Sequence, residues 1–173
     1  MTIRRATIDD VAQLAAVHVQ SWQAAYRSLL PDDFLDSLSV ERRIAQWQAW
    51  LSNSANDIRV YEVEGQVVGF VSYGRTRDED LDQDNTGEIY AIYLLPDQWG
   101  KGFGAALMQE GLTRLQEHGY RSVSLWVLRG NKRAIRFYEQ FGFKPDGKTK
   151  VESRPGLELH ELRYVKFLDA NEG

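Results

Sequence analysis

Hydrophobic and polar positions follow two rhythms along this chain, and the switches between them predict its elements. Residues 2–6 have the texture of a short strand. The rhythm then turns helical: Val11, Leu14, Ala15, His18, Trp22, Ala25 and Tyr26 fall on one face of a 3.6-residue repeat. Thr7 is placed to cap this helix, and Asp9 and Asp10 stand in its first turn, where the helix dipole favours negative charge. Pro31 opens a short helical stretch to about Leu38, and a third runs from about Val40 to Leu51 with Ile44, Trp47 and Leu51 on one side. Period-two alternation follows: residues 58–63 and 66–75 read as a hairpin around Glu64-Gly65. Residues 77–87 are polar and acidic and read as a mobile surface loop. Residues 88–95, Glu-Ile-Tyr-Ala-Ile-Tyr-Leu-Leu, give a strong strand signal that Pro96 ends.

A glycine-rich turn leads into a helix over about 102–118. Its apolar stripe is Gly104, Leu107, Met108, Gly111, Leu112 and Leu115, and Gly119 is a suitable C-cap. Residues 123–128 read as a strand and 131–140 as a helix closed by Gly142. Two last strands start at Phe143 and span 157–167, before a frayed tail at 169–173. Helices lying between hairpins predict a mixed α/β (α+β) layer.

Composition narrows the classes. The 173 residues suit one domain, 1–173, and no linker is visible. With no cysteine, a disulfide scaffold, a thiolate zinc site and a cysteine nucleophile are excluded. The three histidines are unpaired in sequence: His18 reads as core, His118 suits a helix C-terminus and His160 stands alone in a late strand. No metal site is expected. A net charge of −4 without a basic block argues against a nucleic-acid partner. Apolar runs fall short of the roughly 20 residues a membrane helix needs, and the start shows no export signal. A cytoplasmic protein with no membrane partner is expected.

The glycine turn carries the most chemistry. In Asp97-Gln98-Trp99-Gly100-Lys101-Gly102-Phe103-Gly104-Ala105, three glycines alternate where a strand meets a helix. Glycine permits positive φ and close approach of a ligand, and a helix start offers N–H donors to an anion such as a pyrophosphate. A tight packing turn is the plainer reading. A Walker A loop would need Ser or Thr after Lys101, where Gly102 stands. Gly100, Gly102 and Ala105 formally satisfy the dinucleotide pattern G-x-G-x-x-A. Four residues nevertheless separate that strand from Gly100, the next strand ends in Leu128-Arg129 rather than an acid, and too little chain remains for a second nucleotide-binding half.

This loop, together with Asn131, Arg133-Ala134, Phe137-Tyr138-Glu139 and Phe141-Gly142-Phe143 in order behind it, resembles the GNAT superfamily of N-acetyltransferases. The resemblance is continuous from about Gly87 to Gly147. Trp99 departs from the Arg or Gln that opens the family's loop signature. The resemblance implies a mixed sheet of about seven strands flanked by helices, with a splayed parallel strand pair, 88–95 and 122–128, holding coenzyme A. It implies acetyl-coenzyme A as co-substrate. Backbone groups of Ile92, Tyr93 and Leu94 would meet the pantetheine arm. The N–H groups of Gly100, Lys101, Gly102, Phe103, Gly104 and Ala105 would hold the pyrophosphate, and Lys101 and Arg133 would add charge. The acceptor would be an amine of a small molecule or peptide, and a homodimer through the terminal strands is a family habit.

Amine acetylation needs a base for the amine and an acid for the departing thiolate. Tyr138 is the candidate acid: it stands seven residues after Asn131, two helical turns or about 10 Å along one face. Asn131 would hold the arm and the phenol would reach the sulfur; otherwise Tyr138 is a packed aromatic. Glu88 is the candidate base: it stands fourteen positions before Gly102, the offset at which the resemblance to the family's lysine-acetylating branch implies a catalytic Glu, acting directly or through water. Alternation puts it on a face with Tyr90, Ile92 and Leu94, apolar company that would raise its pKa; otherwise it is a strand-end acid facing solvent. Trp22 and Tyr26, one turn apart, are candidates to hold an amine by cation–π contact, or plain core. The acidic loop at 78–84 is a candidate to attract a cationic acceptor. The competing class is a coenzyme A-binding sensor without catalysis.

Overall fold

The computed structural model describes residues 2–53 and 56–168. Seven strands form one sheet in the order β1-β2-β3-β4-β5-β7-β6. They are β1 (Thr2–Arg5), β2 (Asp57–Val63), β3 (Gln66–Arg75), β4 (Thr86–Leu94), β5 (Ser122–Leu128), β6 (Lys144–Arg154) and β7 (Leu157–Phe167). Five α-helices accompany them: α1 (Val11–Ala25), α2 (Asp32–Asp36), α3 (Val40–Ser52), α4 (Phe103–Glu117) and α5 (Lys132–Gln140). The chain falls into two compact units, Met1–Gly74 with Ala91–Arg114, and Arg75–Tyr90 with Leu115–Gly173. β4 and α4 each run from one unit into the other. The mixed α/β class read from the sequence is the class observed, while the tail at 169–173 lies outside the described residues.

In the first unit the α1 stripe delivers Leu14 and Ala15 to a core where both are fully buried, beside Trp47 of α3 and Val60, Val67 and Phe70 of the hairpin β2–β3. Ile44 and Leu51 pack against the same cluster. The helix at 102–118 is confirmed, with Leu107, Met108, Leu112 and Leu115 buried as its stripe requires.

In the second unit β5 alternates buried Val123, Leu125 and Val127 and pairs antiparallel with β7 along its whole length. Its parallel ladder with β4 is short: Thr86 faces Ser122, Gly87 faces Val123 and Glu88 faces Ser124. That ladder ends at Glu88 although both strands continue. Among the described residues no helix is long and apolar enough to cross a membrane.

Candidate active site

The glycine loop in the first unit is built by a sequence of local constraints. After β4, Pro96–Gln98 form a single 3-10 turn, closed by the Gln98 N–H on the Leu95 carbonyl at 2.9 Å. Trp99 donates its indole N–H to the Leu94 carbonyl at 3.1 Å, so the residue that departs from the family pattern ties the loop to the end of its strand. Gly100 and Gly102 then take φ of 79° and 85°, a left-handed backbone that any side chain would strain. No heavy atom stands within 4 Å of a Cβ built at either position, so the requirement is conformational.

Phe103 opens α4 and stacks on Tyr61 with centroids 4.4 Å apart. The first helical bond runs from the Ala106 N–H to the Gly102 carbonyl, 3.2 Å. Helix geometry therefore leaves the N–H groups of Phe103, Gly104 and Ala105 without an acceptor inside α4. They form a donor set suited to an anion. The Lys101 ammonium stays at the loop, donating to Gln98 at 3.3 Å.

Upstream of the loop, Ile92, Tyr93 and Leu94 are half-buried. Gly69 of β3 lies under them: a Cβ there would collide with the Leu94 side chain and come within 2.9 Å of the Tyr93 carbonyl oxygen. The Tyr93 ring stacks on His18 at 5.6 Å, and its hydroxyl lies 3.4 Å from that of Tyr26. Tyr26 meets Trp22 edge-on at 5.0 Å. Both candidate acceptor residues thus belong to an aromatic cluster with His18 and Tyr93. Trp22 already has a cation over its ring, the Arg43 guanidinium at 5.7 Å.

In the second unit Glu88 is 1% exposed, and its company is polar rather than apolar. It accepts the backbone N–H of Arg77 at 3.0 Å, the Arg77 guanidinium at 2.7 Å and the Thr76 hydroxyl at 3.4 Å. The same hydroxyl lies 3.4 Å from that of the fully buried Ser124. Burial along the start of β4 is continuous from Thr86 to Ile89, while Tyr90, Ile92 and Leu94, the face alternation gives Glu88, are half-buried; the connection before the strand supplies the polar neighbours of Glu88. Arg77 also lies over the Tyr90 ring at 4.6 Å. Burial, helped by the Glu88 charge, pushes the Tyr90 phenol up to about 12, which keeps it protonated near neutral pH.

Asn131 caps α5 with its side-chain oxygen, accepting the Ala134 N–H at 3.3 Å. Arg133 sits in the first turn of α5, its pKa lowered by burial. Tyr138 is half-buried on the same helix, its ring 6.1 Å from Phe143. Of the candidate residues, Ile92 to Leu94, the loop, Trp22 and Tyr26 fall in the first unit. Glu88, Asn131, Arg133 and Tyr138 fall in the second.

The acidic connection at 78–84 lies at the surface, and several of its acids have partners within the unit. Asp80 receives a bidentate fork from Arg163 at 2.8 and 2.9 Å, and Asp78 accepts the Trp126 indole N–H at 3.0 Å. Asp82 accepts from Asn85 at 2.7 Å, and Asp84 pairs with Arg75 at 3.2 Å. Arg163 and Arg75 thus pair with Asp78, Asp80 and Asp84, whereas Asp82 bonds a neutral amide and Glu79 is exposed. Sequence reading missed Arg163, 83 residues from Asp80, because no local spacing links them. A glycine inside the apolar run Val67-Val68-Gly69-Phe70-Val71 was the available signal for Gly69.

A mixed sheet with one parallel strand pair, followed by a glycine turn at a helix start, defines an acetyltransferase architecture, and comparison with known proteins agrees. The model of the Acetyltransferase (GNAT) family matches residues 20–143. An uncharacterized N-acetyltransferase of Bacillus subtilis is 37% identical over 142 residues, 82% of this chain and 79% of that protein. One from Archaeoglobus fulgidus is 34% identical, over 80% and 89% of the two chains. The crystal structure of a ribosomal-protein-alanine N-acetyltransferase from Brucella melitensis superposes with a TM-score of 0.74 at 27% identity, covering 97% and 100%. The chain belongs to the GNAT family. It is an N-acetyltransferase.

Proposed function

We propose that this enzyme transfers an acetyl group from acetyl-coenzyme A directly to a primary amine of a small molecule, peptide or protein. The loop carries the reading: Gly100 and Gly102 at positive φ, immediately before the N–H donors of α4, fit a pyrophosphate. Proteins of the same fold have been crystallised with coenzyme A, from Thermoplasma acidophilum, and with acetyl-coenzyme A, from Salmonella typhimurium. Ile92, Tyr93 and Leu94 are assigned to the pantetheine arm through backbone groups. Lys101 and Arg133 supply charge to the phosphates. Asn131 caps α5 through its oxygen, and its two amide N–H donors are assigned to the arm.

The amine nitrogen attacks the thioester carbonyl, a C–N bond forms and the C–S bond breaks. Glu88 receives the amine proton. With only 1% of it exposed, it does so through a water rather than by touching the acceptor. Two Arg77 donors leave lone pairs of this carboxylate to accept from that water. Tyr138 protonates the departing sulfur. Trp22 and Tyr26 act as the acceptor wall by shape, since Arg43 already serves the Trp22 ring. The Arg43 guanidinium over Trp22 gives that ring no preference for a cationic acceptor. The sensor reading has no observation in its favour, because the relatives bear enzyme names.

Two substitutions test the roles. Tyr138→Phe should lower kcat on the order of a hundredfold with little change in KM for acetyl-coenzyme A. Glu88→Gln should lower kcat and remove the acid limb of the pH–rate profile. Parent-like turnover in Tyr138→Phe removes the acid, and a parent-like profile in Glu88→Gln removes the base.

A further inference from the structure

Arg77 reaches Glu88 from the ten-residue connection between β3 and β4. Its side chain is 64% exposed while its partner carboxylate is 1% exposed. A long arginine on a surface connection has many rotamers to lose, so an anchor for residues 76–80 helps to keep it on Glu88. Arg163 of β7 provides one. Only 5% of its side chain is exposed, and its guanidinium gathers three carboxylates. Asp80 takes the bidentate fork, Asp146 accepts from Nε at 2.7 Å, and Asp78 lies 3.4 Å from Nη1. Asp78 is held a second time by the Trp126 indole, and a third time through its backbone N–H, which donates to Thr76 Oγ1 at 3.2 Å. Asp78 is therefore fastened to both β5 and β7, and Asp80 to β7. The fork matters chemically: guanidinium serves Asp80 and Asp146 from different edges at once, which an ammonium cannot do.

We propose that Arg163, through Asp78 and Asp80, is a positioning residue for the transfer reaction: it holds the 76–80 segment so that the Arg77 N–H and guanidinium stay on Glu88 and fix the carboxylate that receives the amine proton. This rests on the reading of Glu88 as base. Thr76 completes the arrangement, since its hydroxyl joins the strap, Glu88 and Ser124. The Arg163 centre acts from outside the reacting groups, so its loss should appear in turnover and not in coenzyme binding.

Asp80→Ala is the gentler test, because that side chain is 45% exposed and lies on a connection; Arg163→Lys is the second variant. Amide hydrogen exchange is read at Arg77, whose N–H bonds Glu88, with the amides of α1 as internal control. In both variants the Arg77 amide should exchange at least about tenfold faster while α1 is unchanged. Turnover should fall roughly tenfold, with KM for acetyl-coenzyme A within about twofold. In a Glu88→Gln background Asp80→Ala should lower turnover no further, because the strap acts through Glu88. Parent-like protection at Arg77, or an equal fall in both backgrounds, overturns the proposal. Should Glu88→Gln alone turn over at the parent rate, the base reading fails on its own account. The Arg77 exchange then still decides the strap: lost protection in Asp80→Ala supports it, and retained protection overturns it.

Discussion

Gly69 has no side chain because the end of β4 passes directly over it. The obstruction is partly backbone, the Tyr93 carbonyl oxygen at 2.9 Å from a built Cβ, and backbone yields less readily than a flexible side chain. Gly69→Ala should therefore cost about 1–3 kcal/mol of stability as overpacking, measured by urea unfolding. It should also raise KM for acetyl-coenzyme A, because the displaced residues are the ones assigned to the pantetheine arm. An unchanged unfolding midpoint would show that β4 has room to move.

At this scale the sequence was readable where a residue's role depends on its neighbours in the chain. Positive φ at Gly100 and Gly102 follows from their place between a strand and a helix, whereas Asn131, read as the first helical residue, is the cap before α5. The face of β4 that Glu88 shares with Tyr90, Ile92 and Leu94 could be read from alternation. The polar company of Glu88 could not, because Arg77 comes from the preceding connection and Arg163 from β7.

The start of α1 shows how an element is fastened. Asp10 was expected to serve the helix dipole, and in the structure it does more. It accepts the Thr7 N–H at 2.7 Å and a bidentate fork from Arg4 of β1 at 2.8 Å on each oxygen. A 3-10 turn, Ile8–Asp10, precedes the α-helix, a refinement that periodicity alone does not reveal.

The Arg4 hydrogen bonds outweigh the burial penalty and hold the Asp10 carboxyl below its ordinary 3.8. A carboxyl whose folded pKa is lowered stabilises the fold above its unfolded pKa, and this stabilisation disappears as pH falls through the folded value. Asp10→Asn should accordingly be about 1–3 kcal/mol less stable than the parent at neutral pH. The gap should narrow below about pH 4, as seen in urea titrations across that range. A gap that stays constant into acid would mean the pair contributes no linked charge.

Other elements were legible because glycine and proline mark their ends. β3 and β7 occupy the residues the alternation gave, α4 is one residue shorter at each end and β5 starts one residue earlier. The partners of the acids at 78–84 were not legible, because composition counts charges without their contacts.

Across the whole molecule, the order of hairpins and helices was visible in the changing rhythm of the chain, and the mixed class followed from it. Strand order was not: β7 lies between β5 and β6, an insertion that local pattern cannot express. Family membership was legible because two motif blocks, the loop and the Asn131 helix, stand in order. The acceptor was not legible, because no short motif in the chain encodes the shape of the acceptor site. Amine-dependent transfer from acetyl-coenzyme A is tested by following free coenzyme A thiol with purified enzyme, acetyl-coenzyme A and a panel of small amines, amino acids, peptides and aminoglycosides, with mass spectrometry of the acceptors. Thiol release should depend on at least one amine, with a product heavier by one acetyl group on nitrogen. Tight coenzyme binding with no amine-dependent thiol release across the panel would contradict this transfer.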